Sequence, residues 1–346
     1  MTREELFEAI ARDDTIENVD LAGMNLAGQD LSGARFEGVS FKGADLRGAK
    51  IIRTGFTGCA FEGANMEGAS LEGVIWLRIN LSGAILSQAN LRKAVLNGAD
   101  LSGAILKGAD LTQAVMDNAR LDGVDLSGAD ISRAVVHRSS MKGANLTGAN
   151  LFKSIFVETD MEGAAFKGAR IFKTFLRGCS LADQDFRGAT FIMAQAGGAD
   201  MKGCDFTNAE ITQSNFMNAD MTGAILENVK GERTVFMGTN LSGVSLKRSY
   251  FVQSCFEGAN LNLADLSECN CEQALFTKAF CRGAKFIDVN ATFADFSHAD
   301  LTAADFTSAT LTRAKLHRIV EEHTIWDKSS RSSAYGTDPD LAEAEG

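Results

Sequence analysis

The feature that most constrains this chain is an apolar period of five residues that never slips out of register. Every fifth residue from Ile16 to Leu316 gives 61 positions, and all but five of them are Leu, Ile, Phe, Met, Val or Trp. The five exceptions are Ala196, Gly231, Cys271, Cys281 and Ala291. A period of five fits neither a helix nor a flat strand, whose periods are about 3.6 and 2. Each five-residue unit must therefore bend, so that a coiling chain returns every fifth side chain to one interior.

The stretch 98–112, GADLSGAILKGADLT, shows the order of residues within a unit. The small residue two positions before each central apolar residue points the same way in an extended segment, so we expect it to lie inside as well. The Asp or Asn just before the centre then faces water. The residue two positions after the centre, often Gly, belongs to a turn in which a positive φ favours glycine. Each unit is thus predicted to contribute two inward side chains and one corner.

The number of units per coil follows from the turn residues. One turn position is Gly every twenty residues from Gly23 to Gly163. A second is almost never Gly, and its residues include Arg53, Lys93, Gln113, Arg133, Lys153, Lys173, Gln213, Arg233, Gln253, Gln273 and Arg313. A period of twenty residues means four units per coil. At the strand spacing of roughly 4.8 Å, about fifteen coils would form a rod on the order of 70 Å long.

The A-(D/N)-L-x-x pattern resembles that of the pentapeptide-repeat family, and the resemblance covers residues 16–316 of the 346. It implies an all-β fold, the right-handed quadrilateral β-helix, whose handedness we take from the resemblance alone. Short helical caps are expected at both ends. We predict an N-terminal cap helix at 1–15, a solenoid at 16–316, a C-terminal cap at 317–327 and a disordered acidic tail at 328–346.

Different signals support the two caps and the tail. Thr2 and Glu5 have the spacing of a capping box, which predicts a helix at the start of the chain. Leu316, Ile319 and Val320 have helical spacing, which favours a second cap. The stretch after residue 327 is Ser-rich and then acidic, a composition typical of disorder.

The distribution of charge limits the partners that the chain can attract. The net charge is −11, but residues 1–20 carry −5 and residues 317–346 carry −4, which leaves −2 on the solenoid. A nearly neutral solenoid has little attraction for phosphate, so we expect no nucleic-acid partner. No secretory signal and no apolar run of about 18 residues is present, so we expect a cytoplasmic protein with no membrane contact.

The cysteines follow the repeat rather than a ligand spacing. Six of the seven occupy inward positions, namely Cys59, Cys179, Cys204, Cys269, Cys271 and Cys281, while Cys255 faces outward. The Cys269-x-Cys271 pair with Cys281 raises the alternative of a metal site. Free cysteine also packs as a small apolar residue, and we expect that role here, with no metal and no cofactor.

The core is predicted to be sorted by wall. A Phe ladder on the fourth wall is expected to compensate for the small residues Gly231, Cys271 and Ala291 on the third, because interiors are densely packed. The ladder consists of Phe216, Phe236, Phe256, Phe276 and Phe296. These rings are expected to be core and not a cofactor site.

The residues most suggestive of function form an apolar stripe on the outside. The water-facing position before the centre, normally Asp or Asn, is apolar in six successive coils, and a neighbouring position adds three more residues. The stripe comprises Ile75, Val95, Val115, Val135, Ile155, Phe175, Phe152, Phe172 and Ile192. Contiguous exposed apolar patches of several hundred Å² mark interaction sites. The competing interpretation is that β-branched residues simply favour strands.

Signals for catalysis are weak. His298 and His317 could approach each other in consecutive coils, but no carboxylate recurs near them at a metal-binding spacing. Asp200 and Asp220 stack one coil apart in the water-facing slot of the repeat, so a hydrated ladder is favoured over acid–base catalysis. We therefore predict no catalytic residues and no enzyme.

The sequence favours a bacterial, non-enzymatic scaffold or adaptor that binds a protein through the apolar stripe. A homodimer formed through a solenoid end or the stripe is a variant of this hypothesis. The family resemblance offers two alternatives. One is a DNA mimic that inhibits or protects DNA gyrase, although mimics of that kind depend on a strongly acidic surface and a C-terminal dimer. The other is an accessory or adaptor of a secretion system.

Overall fold

The computed structural model describes residues 1–345 of the chain, so Gly346, the last residue of the predicted tail, lies outside the described residues. The chain divides into two compact units, Met1–Arg170 and the part that begins at Ile171. No helix among residues 1–345 is long and apolar enough to cross a membrane.

The first unit begins with the predicted cap helix, α1 (Arg3–Ala11). The Thr2 hydroxyl accepts a hydrogen bond from the Glu5 backbone amide, and the Glu5 carboxylate accepts one from the Thr2 amide, which completes the predicted capping box. Leu6 and Ala9 of this helix are buried. The helix thereby covers the first turn of the solenoid, whose open edge would otherwise offer unpaired backbone groups.

After α1 the chain coils with a period of twenty residues. The strands β1 (Thr15–Glu17), β2 (Arg35–Glu37) and β3 (Gly55–Thr57) form a parallel sheet in that order. Each residue pairs with the residue twenty positions later, as Ile16 does with Phe36. Single parallel bridges with the same offset continue along both units, for example Asp100 with Arg120 and Asp200 with Asp220. The predicted four-unit coil is confirmed.

Hydrogen bonds within and between coils explain why a five-residue unit can bend without leaving polar groups unpaired. The Ala104 amide donates to the Leu101 carbonyl (2.9 Å) and closes the turn. The Leu101 amide donates to the next coil at Arg120 (2.7 Å), and the Asp100 amide to the previous coil at Ile79 (2.9 Å). Gly103 in the turn has a φ of +64°, a left-handed conformation that glycine adopts without steric cost.

The Asp or Asn before each centre has a structural role that the repeat pattern alone did not indicate. Its side chain accepts a hydrogen bond from the backbone amide two residues later, as Asp100 does from Ser102 (2.9 Å) and Asn145 from Thr147 (3.1 Å). Such Asx turns hold the backbone in a bend. A coil that replaces this residue with an apolar one gives up that hydrogen bond.

The predicted interior is confirmed in both units. Every central residue from Ile16 to Leu316 is buried except Phe56, which is half-buried. In the first unit the rings of Phe41 and Phe61 stack with centroids 4.7 Å apart. In the second unit the predicted Phe ladder stacks in order, with Phe236–Phe256 at 5.0 Å and Phe276–Phe296 at 4.7 Å.

One detail of the packing differs from the expectation that the fourth wall fills the space at Gly231. A Cβ added to Gly231 would lie 2.7 Å from two ring carbons of Phe251, which belongs to the same wall one coil later. The ring that requires a glycine therefore comes from the neighbouring coil and not from the facing wall.

The C-terminal end of the second unit corrects two predictions. Residues 317–327 do not form a helical cap but continue the extended repeat, with Val320 bridging to Asp300 and Ile325 to Asp305. The ring of Trp326 occupies the inward slot and stacks on Phe306 at 4.6 Å. The helical spacing was misleading because inward positions of a five-residue unit alternate at steps of two and three, so apolar pairs three residues apart occur in every unit.

The segment predicted to be a disordered tail is also structured up to Glu345. It contains a 3-10 helix (Arg331–Ser333), a bridge from Tyr335 to Lys315, and the short helix α2 (Pro339–Ala344). Asp338 caps α2 by accepting hydrogen bonds from the Asp340 and Leu341 amides. Composition predicted disorder because it does not register the individual contacts, described below, that hold α2 on the solenoid.

Candidate functional site

The apolar stripe forms a regular ladder in the first unit. Parallel bridges join Ile75 to Val95, Val95 to Val115, Val115 to Val135 and Val135 to Ile155. Stacking leaves Val95 to Ile155 half-buried, whereas Ile75 is 62% exposed and Leu77 beside it 61% exposed. The ladder is therefore an outward apolar surface, and none of its members can accept the amide hydrogen bond that Asp or Asn accepts in other units.

The ladder's backbone groups are already used. The Val95 amide donates to the Val74 carbonyl of the previous coil (2.8 Å), and the Val95 carbonyl accepts from the Trp76 amide of that coil (2.7 Å). The Leu96 amide donates in the same way to the Val115 carbonyl of the next coil (2.7 Å). A partner that reaches this wall meets side chains and not a free strand edge.

A row of long polar side chains stands at the corner two residues before the ladder. Beside the part of the ladder from Val95 to Ile155 it comprises Lys93, Gln113, Arg133 and Lys153, all of them exposed. Their φ values lie between +57° and +62°, the left-handed region in which glycine is the residue without steric cost. Backbone bonds stack the row, with the Lys93 amide donating to Thr112 (2.9 Å) and the Arg133 amide to Phe152 (2.9 Å).

A shallow groove of about 610 Å³ lies on the other side of the ladder. It is lined by Leu77, Arg78, Asn97, Gly98, Asp117 and Asn118. The Asn97 side chain accepts a hydrogen bond from the Asp117 amide of the next coil (3.0 Å), which provides a bond that the apolar ladder residue cannot. Among the described residues the buried Oδ1 of Asp117 has no hydrogen-bond partner.

The other predicted stripe residues are divided between the units. Phe152, in the first unit, is half-buried, with the Lys153 ammonium 5.2 Å and the Arg170 guanidinium 5.7 Å from its ring centroid. In the second unit Phe175 is 43% exposed and bridges to Gln195. Phe172 and Ile192 are half-buried. The structure thus brings five of the nine predicted residues, Ile75 to Ile155, into one continuous ladder.

The second unit carries its own groove of about 500 Å³ next to Phe175. Its lining includes Phe175, Met217 and the backbone of Gly197 and Gly198. Met217 is 37% exposed. Further along this wall Val235 bridges to Cys255 and Cys255 to Leu275, so the second unit has a weaker apolar row of mixed composition.

The cysteines lie as the repeat predicted. Cys59, Cys179, Cys204, Cys269, Cys271 and Cys281 are buried, and Cys255 is half-buried. Burial raises the pKa of the Cys204 thiol to about 12. Burial also raises the pKa of Cys281, and a hydrogen bond with Cys269 together with burial raises that of Cys271. These thiols pack as apolar residues and remain protonated at neutral pH.

The stacked carboxylates Asp200 and Asp220 are bridged by a cation. The Lys202 ammonium lies 3.5 Å from Asp200 and 3.2 Å from Asp220. Partial burial acts to raise the pKa of Asp220, but hydrogen bonds from Thr222 and Lys202 outweigh it and lower that pKa overall. A carboxylate stabilised in its charged form is unsuited to act as a general acid at neutral pH.

The sequence prediction included only two of the three residues in a cluster at the C-terminal end. The rings of His298 and His317 approach as considered, with centroids 5.3 Å apart. The residue not foreseen is Glu345, whose carboxylate lies 3.3 Å from His298 Nε2 and 3.2 Å from His317 Nε2. Since Glu345 follows α2, outside the repeat register, no spacing in the sequence could have indicated it.

These three residues place their potential ligand atoms within 4.8 Å of one another, which raises the question of a metal ion. The Asp338 amide donates a hydrogen bond to His317 Nδ1 (3.1 Å), so the proton of a neutral ring sits on Nε2 and is donated to Glu345. A metal-binding histidine has the opposite arrangement, with its second nitrogen donating. The Arg318 guanidinium, 3.1 Å from Glu345, also neutralises the carboxylate. The geometry favours an anchor for α2.

Both units show the same construction, a parallel β-helix with four short sides per coil and an interior of stacked apolar residues, which defines a right-handed quadrilateral β-helix. The model of the family described as pentapeptide repeats matches in overlapping segments that cover residues 16–75 and 77–319. The chain belongs to the pentapeptide-repeat family. Among curated proteins none matches it significantly.

Several solved structures resemble the chain in fold. A trypsin-treated variant of QnrB1, a plasmid-mediated fluoroquinolone resistance protein, is 20% identical over 55% of this chain and 87% of its own, with a TM-score of 0.30. HetL, involved in heterocyst differentiation regulation in Nostoc sp. strain PCC 7120, is 18% identical over 98% of both chains, with a TM-score of 0.17. A pentapeptide repeat protein of the Arabidopsis thaliana thylakoid lumen is 31% identical over 34% of this chain and 70% of its own, with a TM-score of 0.16.

Proposed function

We propose that the chain is a non-enzymatic protein-interaction scaffold or adaptor of the bacterial cytoplasm, which binds a protein partner through the apolar stripe. The observation that carries the proposal is the ladder from Ile75 to Ile155. In these coils the slot that elsewhere holds a hydrogen-bonding Asp or Asn holds only apolar residues, at the cost of a turn-stabilising bond. Strand propensity alone does not account for five successive coils with an apolar residue in this slot of one wall, since another wall has only Ile85 and Ile105 in succession.

Other parts of the surface carry stacked Asp and Asn residues, some of them bridged by a cation, as Asp200 and Asp220 are by Lys202. We therefore assign partner binding to the stripe and no catalytic role to the carboxylates.

The test compares two variants with matched chemistry. In the first, Val115→Thr, Val135→Thr and Ile155→Thr keep the β-branched shape that suits a strand while removing apolar area. At about 25 cal/mol per Å² of buried apolar surface, the three changes together remove up to a few kcal/mol of binding free energy. The control variant, Ile85→Thr, Ile105→Thr and Ile225→Thr, makes the same kind of change on the wall two sides away.

Affinity capture from the native cell, with quantitative comparison of the two variants and the unmodified protein, gives the readout. We expect the stripe variant to lose its partner and the control variant to retain it. If both retain the same partners, or both lose them equally, the ladder is not the interface and the proposal is wrong.

The DNA-mimic alternative makes a separate prediction. It requires a strongly acidic surface, and residues 21–316 carry a net charge of only −2. Mimicry predicts an effect of the purified protein on gyrase supercoiling that weakens with salt. We expect no effect, and a clear salt-sensitive change would favour mimicry over the scaffold. A role as a secretion-system accessory would instead require the captured partner to be a secretion component.

A further inference from the structure

The corner row beside the ladder has an unusual composition for an acidic chain. Its positions recur every twenty residues from Arg53 to Arg313 and include seven Lys or Arg, four Gln and no Asp or Glu. Every non-glycine residue of the row has a positive φ, between +54° and +62°. A left-handed conformation costs an ordinary residue roughly 1 kcal/mol, and glycine would avoid that cost. Residues at other corners share this conformation, for example Asn118 (φ +53°) and Asn208 (φ +60°), so the composition of the row, and not its φ, distinguishes it.

In the second unit part of the row is hydrogen-bonded within itself. Arg233 donates a hydrogen bond to Gln253 (2.8 Å), and Gln253 donates one to Gln273 (2.8 Å). The first unit differs, because within residues 1–345 the structure assigns no ion pair to Lys93, Arg133 or Lys153. Lys153 only approaches the face of Phe152. Within the part of the chain that the structure describes, these three cations are thus exposed and have no carboxylate partner.

These cations adjoin the apolar ladder coil by coil. Lys93 precedes Val95 by two residues, Arg133 precedes Val135, and Lys153 precedes Ile155. In these coils and the intervening one (92–98, 112–118, 132–138 and 152–158), five Lys or Arg face two acids, a net charge of +3 with His neutral. Asp110, outside these ranges, pairs with Arg92 at 3.3 Å, and counting it leaves a net charge of +2. The whole chain carries −11. The apolar stripe is therefore bordered by a locally positive edge.

We propose that the occupant of this surface is an acidic amphipathic helix of the partner protein. Its apolar side chains would lie on Val95 to Ile155, and its carboxylates would pair with Lys93, Arg133 and Lys153. This inference rests on the proposed function and specifies the chemistry of the partner. A nucleic acid could pair its phosphates with the cations but would leave the apolar ladder uncovered. A polypeptide that carries both carboxylates and apolar side chains therefore fits this surface better.

The spacing of the ladder selects a helix over a strand. Successive coils are roughly 4.8 Å apart. Helix residues three or four positions apart rise by about 4.5–6 Å, whereas residues on one face of a strand are about 6.6–6.8 Å apart. The wall also offers no free backbone edge for an added strand. From Lys93 to Lys153 there are three coil steps, about 14 Å, which matches about ten residues of helix.

The test uses fluorescence anisotropy with the full-length protein and a labelled helix-forming peptide of about 14 residues, about four turns. Leu residues line one face of the peptide and Glu residues border them. A second peptide has Lys in place of every Glu, and single-stranded and duplex DNA serve as further probes. We expect the Glu peptide to bind, the Lys peptide to bind at least about tenfold more weakly, and salt to weaken the Glu peptide's binding.

The variant Lys93→Gln, Arg133→Gln and Lys153→Gln should weaken the Glu peptide about tenfold and flatten the salt dependence. The control variant, Lys50→Gln, Lys107→Gln and Lys167→Gln, removes the same charge elsewhere in the first unit and should leave binding unchanged. Equal binding of the two peptides, no binding of the Glu peptide, equal effects of the two variants, or tighter binding of DNA through the same row would overturn the inference.

Affinity capture from the native cell with the stripe variant and with the row variant (Lys93→Gln, Arg133→Gln and Lys153→Gln) distinguishes this inference from the proposed function on which it rests. If the row variant keeps the native partner and the stripe variant loses it, the scaffold stands and the acidic helix is wrong. If both variants keep the partner, both proposals fail.

Discussion

Phe251 occupies the space that a side chain at Gly231 would need, since an added Cβ would lie 2.7 Å from its ring. The pair explains why the apolar five-residue pattern is interrupted at Gly231. This central position faces the large ring of Phe251 in the next coil, which leaves no room for a side chain. It also shows that packing along the solenoid axis, and not only across a coil, determines which residue each inward slot accepts.

Gly231→Ala should therefore destabilise the second unit by about 1–3 kcal/mol, the usual cost of adding a methyl group to a filled core. The midpoint of urea unfolding gives the measurement. Gly55→Ala is the control, because a Cβ there would meet nothing within 4 Å and the residue does not have a positive φ. The double variant Gly231→Ala, Phe251→Leu should recover part of the loss. A neutral Gly231→Ala would contradict the packing.

Phe256→Ala tests the register of the Phe ladder. Its ring stacks between Phe236, 5.0 Å away, and Phe276, 4.9 Å away. Removing a fully buried ring should cost about 3–5 kcal/mol. Glu257→Ala, one residue later on the outward side, should change the unfolding midpoint little. Equal effects of the two substitutions would show that the assignment of inside and outside is wrong.

The sequence was sufficient to predict the inside of this fold and insufficient for its C-terminal end, for one physical reason. The central slots repeat every five residues with a single chemical requirement, so the burial of residues such as Leu101 or Phe256 follows from register alone. Glu345 meets His298 from 47 positions away through a segment outside the register, and only the path of the chain brings them together. The apolar positions after Leu316 were ambiguous because their spacing of three suits a helix and a pentapeptide unit equally.

The apolar stripe, too, was only partly predictable from the sequence. Its ladder from Ile75 to Ile155 was predictable from the twenty-residue period. The loss of the Asx hydrogen bond at these residues was not predictable from the sequence, because the repeat pattern identifies Asp and Asn only as polar residues. The positive φ of Lys93 and its counterparts was implied by their position in the turn, whereas only the structure shows that Lys93, Arg133 and Lys153 have no ion pair among residues 1–345.

Thiol reactivity should separate one cysteine from the other six. Cys255 is half-buried, while the remaining six are buried, and burial raises the pKa of the Cys204 thiol to about 12. The thiolate is the reactive form, so buried protonated thiols react slowly. Alkylation of the native protein at neutral pH should modify Cys255 first, as peptide mass spectrometry would show, and denaturant should expose all seven.

Cys255→Ser is the control for this experiment and should make the native protein nearly inert to the reagent. Rapid native labelling of Cys271 or Cys281 would be inconsistent with their place in the core.

The attachment of α2 should depend on pH through Glu345. The hydrogen bond from His317 lowers the pKa of this carboxyl below its ordinary value of 4.5, and the nearby His298 lowers it further, while desolvation opposes them. A carboxyl whose pKa is lower in the folded state stabilises that state above its unfolded pKa. The contribution is lost as the pH falls through the lowered value.

The docked helix should therefore hold at neutral pH and loosen below about pH 4.5. The NMR signal of the Arg318 amide, which donates to Thr337 Oγ1 just before α2 (3.2 Å), reports docking without depending on the protonation of a histidine ring. Glu345→Gln should release α2 at neutral pH and abolish this part of the pH dependence, whereas Glu343→Gln, an exposed change two residues earlier, should preserve both. If the two variants titrate alike, the anchor assigned to Glu345 is not what holds the C-terminal helix on the solenoid.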